Sequence, residues 1–255
     1  MNEVKREGNL FYEDLRIPCY YTDSSKYLKP ASFMDMATEI AIWAAQDLGF
    51  GYDDLQLSHT AWVLSRMHFH YIDPPRWRDH VRLNTWHKGS DGLFFLRDFR
   101  LDDASGNTIV TGTSSWLVMD VESRRLVRDP EIVAKFDYGT AGAGHAIEEP
   151  APKVAMPRGV EPELIASHTV AYSDVDFLGH SNNARYMVWS MDCIPYAETS
   201  WRRVRDVYIN FSKETVAGET VDLFRHCSRG DDGTVSYIIE GKVDGKTVFT
   251  ARIDY

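Results

Sequence analysis

Apolar and polar positions along the chain follow two different periods, and each period marks one kind of element. From Phe33 to Leu48 the apolar residues recur three, four and seven positions apart, which is typical of an amphipathic helix. Ser32 stands where it could cap the N-terminus of that helix. A shorter stripe with similar spacing begins after Ser181 or Asn182, so a second helix is predicted there.

Each helical stretch is followed by runs in which apolar and polar residues alternate, as they do in half-buried strands. These runs cover residues 81–85, 93–97, 109–113, 207–211 and 235–239. Asp-Gly and Ser-Gly pairs between the runs favour tight turns, so antiparallel hairpins are expected. A helix followed by several long strands predicts an α+β fold.

The same order of elements occurs twice because parts of the sequence repeat. Residues 21–23 (Tyr-Thr-Asp) recur at 172–174 (Tyr-Ser-Asp), an offset of 151, and residues 73–83 match 213–223 at an offset of 140. Two further matches lie at offsets of 141 and 139. Their preserved order predicts two tandem units, the first of which carries 11 extra residues around 46–60.

Composition places the boundary between the two units. A stretch at 131–164 is rich in Ala, Gly and Pro and lacks periodicity, which predicts a linker running over the surface. The N-terminal unit is then 1–130 and the C-terminal unit is 165–255.

Charge and cysteine content exclude several classes of function. The chain has 28 Lys and Arg against 38 Asp and Glu, a net charge of −10, which disfavours nucleic acid as a partner. No apolar run approaches the ~20 residues of a membrane-spanning helix. Three scattered cysteines do not form a disulfide framework, so a cytoplasmic location is expected. His68 and His70 share a strand face without a third ligand of suitable spacing, so neither a metal nor another cofactor is expected.

Candidate chemistry is concentrated at the start of the second helix. Asp176, Gly179, His180, Asn182 and Asn183 lie there within a few residues. Unpaired backbone N–H groups at a helix N-terminus stabilise a developing oxyanion, and a nearby Asp or His can activate water. The glycine would allow the backbone to approach a bound carbonyl closely. The combination predicts a hydrolytic site.

The string Asp-Xaa-Xaa-Gly-His-Xaa-Asn-Asn at 176–183 resembles the signature of hotdog-fold thioesterases, and nearly the whole chain resembles the acyl-ACP thioesterase family in its bacterial form. The likeness includes residues 62–66 (Trp-Val-Leu-Ser-Arg), 85–86 (Thr-Trp) and 115–116 (Ser-Trp). It implies two tandem hotdog units, each a long helix wrapped by an antiparallel β-sheet. It also implies hydrolysis of the thioester between a fatty acyl chain and the phosphopantetheine arm of acyl carrier protein. We expect the N-terminal unit to bind the acyl chain and the C-terminal unit to carry out catalysis.

The resemblance assigns a role to each residue of the motif. Asp176 and His180 match the family's catalytic Asp and His, and Asn182 and Asn183 match the Asn pair after that His. Glu214 matches a catalytic Glu on the following strand. We expect Asn182 to join the catalytic group, and Asn183 to support the oxyanion together with the glycine that precedes the His.

Two positions depart from the plant members of the family. Leu178 stands where they have Asn, and Thr215 stands where they have Cys after the Glu. A Cys-His-Asn scheme therefore cannot operate here. Water is the expected nucleophile, with direct carboxylate attack as the other option, and the sequence does not decide which carboxylate acts as the base.

The repeat provides an internal test of these assignments. At the offsets of 151 and 140, the residues that correspond to Asp176, His180, Asn182 and Glu214 are Ser25, Lys29, Ala31 and Pro74. The first copy is thus expected to have lost the polar groups while keeping the fold. A single active site, borne by the C-terminal unit, is predicted.

Substrate and partner contacts are assigned to two further groups of residues. An apolar tunnel for the acyl chain is predicted to be lined by Met36, Ile40, Trp43 and Trp62. Acyl carrier protein is the expected partner, and because it is itself acidic, a local basic patch is required. The candidates for that patch are Arg202, Arg203, Arg205 and Lys213.

Two alternatives for the function stay open. One is an acyl-CoA thioesterase of the same fold, although the acidic balance mildly disfavours binding of nucleotide phosphates. The other is a non-catalytic acyl-thioester-binding protein, which would not need activating carboxylates. The chain is expected to be a monomeric pseudo-dimer or a homodimer, and its preferred acyl chain length is not fixed by the sequence.

Overall fold

The computed structural model describes residues 3–128 and 144–255. Within these ranges the chain forms one antiparallel sheet and four α-helices. The strands are β1 Lys5–Glu7, β2 Leu10–Arg16, β3 Thr60–Tyr71, β4 His80–Asp91, β5 Phe94–Asp103, β6 Thr108–Asp120, β7 Glu163–Thr169, β8 Asp206–Phe211, β9 Thr220–Arg229, β10 Val235–Val243 and β11 Lys246–Asp254. The helices are α1 Pro30–Asp47, α2 Tyr52–Leu57, α3 Asn183–Asp192 and α4 Tyr196–Thr199.

The order of strands in the sheet shows the duplication directly. The order is β1-β2-β4-β5-β6-β3-β8-β11-β10-β9-β7, in which β3 and β8 pair at the centre. Read outwards from that centre, β3-β6-β5-β4-β2 in the first unit matches β8-β11-β10-β9-β7 in the second. The predicted α+β fold with two tandem units, each a helix packed on an antiparallel sheet, is confirmed.

The register of β3 against β8 places a local two-fold axis at the centre of the sheet. His68 pairs with Tyr208, while Met67 pairs with Ile209 and Phe69 with Val207. The paired positions 68 and 208 differ by 140. An offset of 140 also relates 67 to 207 and 69 to 209, so the residues on either side of the central pair exchange places under a two-fold rotation. The rings of His68 and Tyr208 stack on this axis, with centroids 4.1 Å apart. The offset of 140 found in the sequence is therefore the true offset of the two central strands, β3 and β8.

Before the helices the true offset is 153, and the predicted 151 is wrong. The isolated bridge from Thr22 to Leu28 corresponds to the bridge from Val175 to Ser181 (175 − 22 and 181 − 28). Short 3-10 turns precede both bridges, at Cys19–Tyr21 and Tyr172–Asp174, with the same offset. The first unit thus carries 13 extra residues (153 − 140), two more than predicted. Much of this excess lies in α1, which has 18 residues against 10 in α3.

The two helices begin in different ways. Asn182 caps α3 as predicted, because its side-chain oxygen accepts a hydrogen bond from the Ala184 N–H at 2.8 Å. The prediction that Ser32 caps α1 is wrong, since that residue is buried inside the helix. Lys29 holds the cap position without a side-chain bond, and Pro30 follows it at the first helical position, where its missing N–H is not needed.

The hydrophobic core is one continuous cluster that extends through both units. In the first unit Phe33 of α1 packs edge-on against Phe69 of β3, with ring centroids 4.8 Å apart. In the second unit Tyr186 of α3 packs in the same way against Phe249 of β11 at 5.2 Å. Burial of apolar surface between the helices and one face of the sheet therefore holds both units together.

The described part of the predicted linker lies against the opposite, outer face of the sheet. Trp86 on β4 donates from its indole N–H to the Gly144 carbonyl at 3.0 Å, and Asn210 on β8 donates to the Pro152 carbonyl at 3.1 Å. The segment thus contacts strands of both units rather than running free over the surface. Residues 131–143 of the predicted linker lie outside the described residues.

Candidate functional site

The residues before α3 form a closed turn around Asp176. The Asp176 N–H donates to the His180 carbonyl at 2.9 Å, and the Gly179 N–H donates to the Asp176 carbonyl at 3.0 Å. The carboxylate of Asp176 accepts the N–H of Leu178 at 2.9 Å. Gly179 has φ +83°, and a side chain added there would meet no atom within 4 Å. Glycine is suited to this position by its left-handed conformation, and the open space beside it is compatible with the predicted approach of a bound group.

A buried hydroxyl network joins this turn to the loop after β8. The Ser181 N–H donates to the Thr215 carbonyl at 2.8 Å, and the Thr215 hydroxyl donates to the Ser181 hydroxyl at 2.8 Å. The Tyr186 hydroxyl lies 2.9 Å from the Thr215 hydroxyl and accepts its backbone N–H at 3.0 Å. The residue that replaces the plant cysteine is thus fully engaged in positioning the loop. The residue before it, Glu214, is held beside the α3 turn.

His180 and Glu214 face each other across this junction. Nδ1 of His180 lies 3.6 Å from a carboxylate oxygen of Glu214, and both side chains are about one-third exposed (36% and 33%). Glu214 lies in the loop after β8 and not on a strand, which corrects the prediction. With Nδ1 turned towards the carboxylate, Nε2 is the ring nitrogen available to a ligand. A carboxylate in this position can orient the imidazole, and a histidine oriented in that way is suited to act as a general base.

Arg124, which the sequence did not single out, also contacts the site. It follows β6 in the first unit, and its guanidinium donates to the second carboxylate oxygen of Glu214. The pair links the two units at the candidate catalytic residue. Nothing in the local sequence marks this arginine, because its partner lies 90 positions further along the chain.

The equivalent turn of the first unit also contains an aspartate at the position of Asp176. With the offset of 153, Asp176 corresponds to Asp23, whose N–H also donates to the carbonyl four residues on, that of Tyr27, at 2.8 Å. The carboxylate of Asp23 accepts the N–H groups of Ser25 and Tyr27 at 2.8 and 2.9 Å. The predicted match of Asp176 to Ser25 is therefore wrong, and the aspartate is kept in both copies as part of the turn.

The other correspondences shift in the same way but keep their asymmetry. His180 corresponds to Tyr27 rather than Lys29, and Asn182 corresponds to Lys29 rather than Ala31. Pro74, at the strand offset of 140, remains the counterpart of Glu214. The histidine, the amide and the glutamate are thus restricted to the second unit, while the aspartate is not.

The start of α3 leaves few backbone donors for a ligand. The N–H groups of Gly179, Ser181 and Asn182 donate to backbone carbonyls, so Gly179 cannot supply the predicted oxyanion contact with its N–H in this conformation. In the described part of the chain, no acceptor is found for the N–H groups of His180 and Asn183. These two groups are the available oxyanion donors. The side-chain oxygen of Asn182 is used by the cap, which leaves its amide NH₂.

The four residues predicted to line an acyl tunnel do not share one cavity. Trp62 lines a small cavity of about 80 Å³ between α1 and the sheet. Met36 and Ile40 belong to the buried core cluster. The side chain of Trp43 is 47% exposed and donates from its indole N–H to Glu39 at 2.8 Å.

A residue that follows the cavity wall in the chain contacts the α3 turn. The cavity wall includes Phe50, and two residues later the ring of Tyr52 packs against that of Phe177 in the turn, with centroids 5.5 Å apart. Phe177 itself is 73% exposed. The N-terminal unit therefore contributes an aromatic contact to the turn that carries His180.

The predicted basic patch is occupied by internal ion pairs. Each of its members lies within 4 Å of a carboxylate of this chain, Arg202 on Glu198, Arg203 on Asp73, Arg205 on Asp206 and Lys213 on Glu219. Residues in such pairs present less net positive charge to a partner than the sequence alone suggested.

The two histidines considered as metal ligands have a structural partner. His68 Nε2 and His70 Nδ1 both lie 2.9 Å from one carboxylate oxygen of Asp206. Among residues 3–128 and 144–255, no group of three or more His, Cys, Asp or Glu side chains is arranged to hold a metal ion. In the same ranges no helix is both long and apolar enough to cross a membrane.

Comparison with known proteins gives consistent matches along the chain. Residues 8–136 match the family described as acyl-ACP thioesterase N-terminal domain, and residues 159–255 match acyl-ACP thioesterase C-terminal domain. The chain is 23% identical to a chloroplastic oleoyl-acyl carrier protein thioesterase of Coriandrum sativum, over 100% of this chain and 72% of that protein. It spans 63% and 74% of the lengths of two chloroplastic oleoyl-acyl carrier protein thioesterases of Arabidopsis thaliana.

Solved structures share the fold over nearly the whole chain. An acyl-ACP thioesterase from Bacteroides thetaiotaomicron superposes with a TM-score of 0.78 at 22% identity, covering 96% of this chain and 97% of that one. A 12:0-ACP thioesterase from Umbellularia californica superposes with a TM-score of 0.83 at 21% identity, covering 97% and 94%. These similarities confirm the predicted pair of hotdog units.

Proposed function

The chain belongs to the acyl-ACP thioesterase family, and we propose that it hydrolyses the thioester of acyl carrier protein to release a free fatty acid in fatty acid biosynthesis. The observation that carries this proposal is the contact between His180 and Glu214 at the start of α3. The substrate would be an acyl chain on the phosphopantetheine arm of acyl carrier protein, and no cofactor takes part.

Water is the nucleophile in the proposed reaction. The Glu214 carboxylate orients His180 through Nδ1. The oxygen of a water molecule attacks the thioester carbonyl while Nε2 of the neutral imidazole accepts a proton from that water. The N–H groups of His180 and Asn183 stabilise the oxyanion that forms. When the carbon–sulfur bond breaks, the imidazolium returns the proton to the departing thiolate. Water is thereby divided between the fatty acid and the free thiol.

Two features support water over covalent attack by a hydroxyl or thiol. Thr215, which stands where plant members have Cys, is buried, and its hydroxyl is bonded to those of Ser181 and Tyr186. Cys193 is buried, and burial raises the pKa of its thiol to about 11, which keeps it protonated at neutral pH. Neither side chain is suited to act as a nucleophile.

The acyl chain is assigned to the cavity under α1. Trp62 and Trp116 line it together with Phe50 and Phe95, so its wall is largely aromatic and suits part of an alkyl chain. At about 80 Å³ the cavity has to widen to take a full fatty acyl chain. The contact between Tyr52 and Phe177 connects this wall to the turn that carries His180. The N-terminal unit would thus bind the chain while the C-terminal unit cleaves the thioester.

The proposal is tested by measuring free thiol release from acyl-ACP and from the matching acyl-CoA. We expect the wild-type chain to hydrolyse acyl-ACP with the higher kcat/KM, and His180→Ala and Glu214→Gln to lower it by roughly 100-fold or more. His80→Ala is the matched control, because this exposed histidine lies at the start of β4 in the other unit. Unchanged hydrolysis in both site variants would contradict the proposed site. A preference for acyl-CoA would contradict the proposed substrate.

A further inference from the structure

The cavity under α1 contains a buried cation. Arg97 on β5 is only 7% exposed, and it lines the cavity together with Trp62, Phe95 and Trp116. On the same face of β5, Phe99 and Leu101 extend into the apolar core. A guanidinium is therefore placed among aromatic and aliphatic side chains, where an uncompensated charge is costly.

The hydrogen bonds of Arg97 do not compensate that charge. Its guanidinium donates to the Thr85 hydroxyl at 3.2 Å, and within the described ranges no carboxylate lies within ion-pair distance of it. Burial lowers the pKa of Arg97 to about 10, so the side chain remains cationic at neutral pH. His87, its direct cross-strand neighbour on β4, lines the same cavity. This pair makes one part of an otherwise apolar cavity polar.

Neighbouring cations on the opposite face of the same strands each lie beside a carboxylate. Lys88, buried on the outer face of β4, lies 3.3 Å from the carboxylate of Asp98. Arg100, on the outer face of β5, lies 3.0 Å from Asp102. Both of these cations, the buried Lys88 and the partly exposed Arg100, are thus paired with a carboxylate. Among the described residues Arg97 has no such partner, and its buried guanidinium in the cavity wall points to a ligand.

We propose that this cavity binds acyl chains that carry an oxygen substituent, with a terminal carboxylate bound most tightly, at the position that reaches Arg97. The inference rests on the proposed function, since it takes the acyl chain to enter the cavity under α1. A carboxylate matches the planar fork of the guanidinium and would pair with it away from water. A plain alkyl chain would leave the guanidinium desolvated and unpaired. Arg97 is in this view a specificity-determining residue.

Binding of non-hydrolysable analogues tests the proposal apart from catalysis. The probes are N-ethyl fatty amides of increasing chain length, each paired with its ω-hydroxy and ω-carboxylate counterpart. Affinity is measured by calorimetry and by the fluorescence of the cavity tryptophans. At the chain length that reaches Arg97, we expect the ω-carboxylate to bind at least about tenfold more tightly than the plain amide, with the ω-hydroxy form between them.

Variants then locate the preference. Arg97→Met keeps a long side chain and is expected to abolish the preference, while Arg97→Lys keeps part of it. Arg100→Met, on the outer face of the same strand, is the matched control and should leave every affinity unchanged. Retention of the preference in folded Arg97→Met would overturn the proposal. If that variant does not fold, as judged by thermal melting, the wild-type comparison decides, since equal affinity for plain and oxygenated chains at every length overturns it.

The outcome separates the inference from the function on which it rests. Hydrolysis of acyl-ACP without any preference for oxygenated chains would leave the function standing and remove the role of Arg97. A carboxylate preference without hydrolysis would keep the ligand site and remove the enzyme activity.

Discussion

The turns that precede α1 and α3 have the same backbone and different chemistry. In both, an aspartate begins the turn, its N–H bonds to the carbonyl four residues later, and its carboxylate accepts N–H groups of the turn. Lys26 and Gly179 occupy the same left-handed position, with φ +71° and +83°. Only the second turn carries His180 and Asn182, and only there does a glutamate approach it. The comparison separates residues that form the turn, which both units have, from residues of the candidate site, which only the second unit has.

This separation revises the role of Asp176. A residue that both copies keep, with the same backbone bond and a carboxylate that accepts the N–H two positions later, is explained by the turn itself, whereas a residue kept in one copy requires another explanation. His180 and Glu214 meet the second condition. Asp176 orders the turn, and its predicted catalytic role remains a prediction.

The largest effect is expected from the histidine and its counterpart. His180→Ala should lower kcat/KM for acyl-ACP by roughly 10²- to 10⁴-fold, because the proton acceptor for water is lost. Tyr27→Phe, at the equivalent position of the first turn, should leave hydrolysis within twofold or about that, as expected for a group remote from the reaction. Thiol release measures both. Equal losses in the two variants would mean that both turns serve catalysis.

A second effect concerns the axis that relates the two units. Burial acts to raise the pKa of Asp206, but hydrogen bonds from His68 and His70, together with Arg205, outweigh it and hold the pKa well below its usual range. The stabilisation is present above the unfolded pKa of about 3.9 and is lost as pH falls towards the lower folded pKa. We expect Asp206→Asn to reduce the free energy of unfolding at pH 7 by about 2 kcal/mol. Denaturant unfolding from pH 7 to pH 3 measures it, and an unchanged acid limb in the variant would contradict this account.

The two turn aspartates offer a matched pair of variants. Asp23→Asn and Asp176→Asn each keep an acceptor oxygen, so both should change the melting temperature by similar small amounts. Hydrolysis is expected to fall about tenfold or more only in Asp176→Asn, since only that variant removes a charge from the turn that carries His180. If neither variant affects kcat/KM, Asp176 serves the turn alone. The measurement thereby decides between the two roles.

The smallest effect is expected at the contact between the units. Arg124 is exposed, and exposed ion pairs contribute about 0.2–1 kcal/mol, so Arg124→Gln should lower kcat/KM only about two- to fivefold. We expect this loss of kcat/KM because Glu214 would be held less firmly without the arginine. Arg125→Gln, the adjacent arginine in the same loop, is the control. A loss as large as that of His180→Ala would instead assign Arg124 to the reacting atoms.

Much of the fold follows from local patterns. The alternating runs at 81–85 and 207–211 lie in strands β4 and β8, and the stripe from Phe33 lies in α1, because side-chain period reports the buried face of an element. The repeat also predicted the tandem order of the units. Its alignment before the helices was wrong by two residues, because the Tyr-Xaa-Asp match at 21–23 and 172–174 is a chance similarity and the bridges at Leu28 and Ser181 define the true offset.

The sequence by itself determined the two tandem units and the grouping of Asp176, His180 and Asn182, since residues within one turn are held together by the chain. The resemblance had assigned Glu214 to the site, but only the tertiary structure showed that it contacts His180 and that Arg124 reaches the same carboxylate from the other unit. Only the tertiary structure showed that Arg97 lines a cavity and has no acidic partner among the described residues. These contacts join segments far apart in the chain. Their formation depends on strand pairing and on which face of the sheet each side chain occupies, and no local spacing encodes that information.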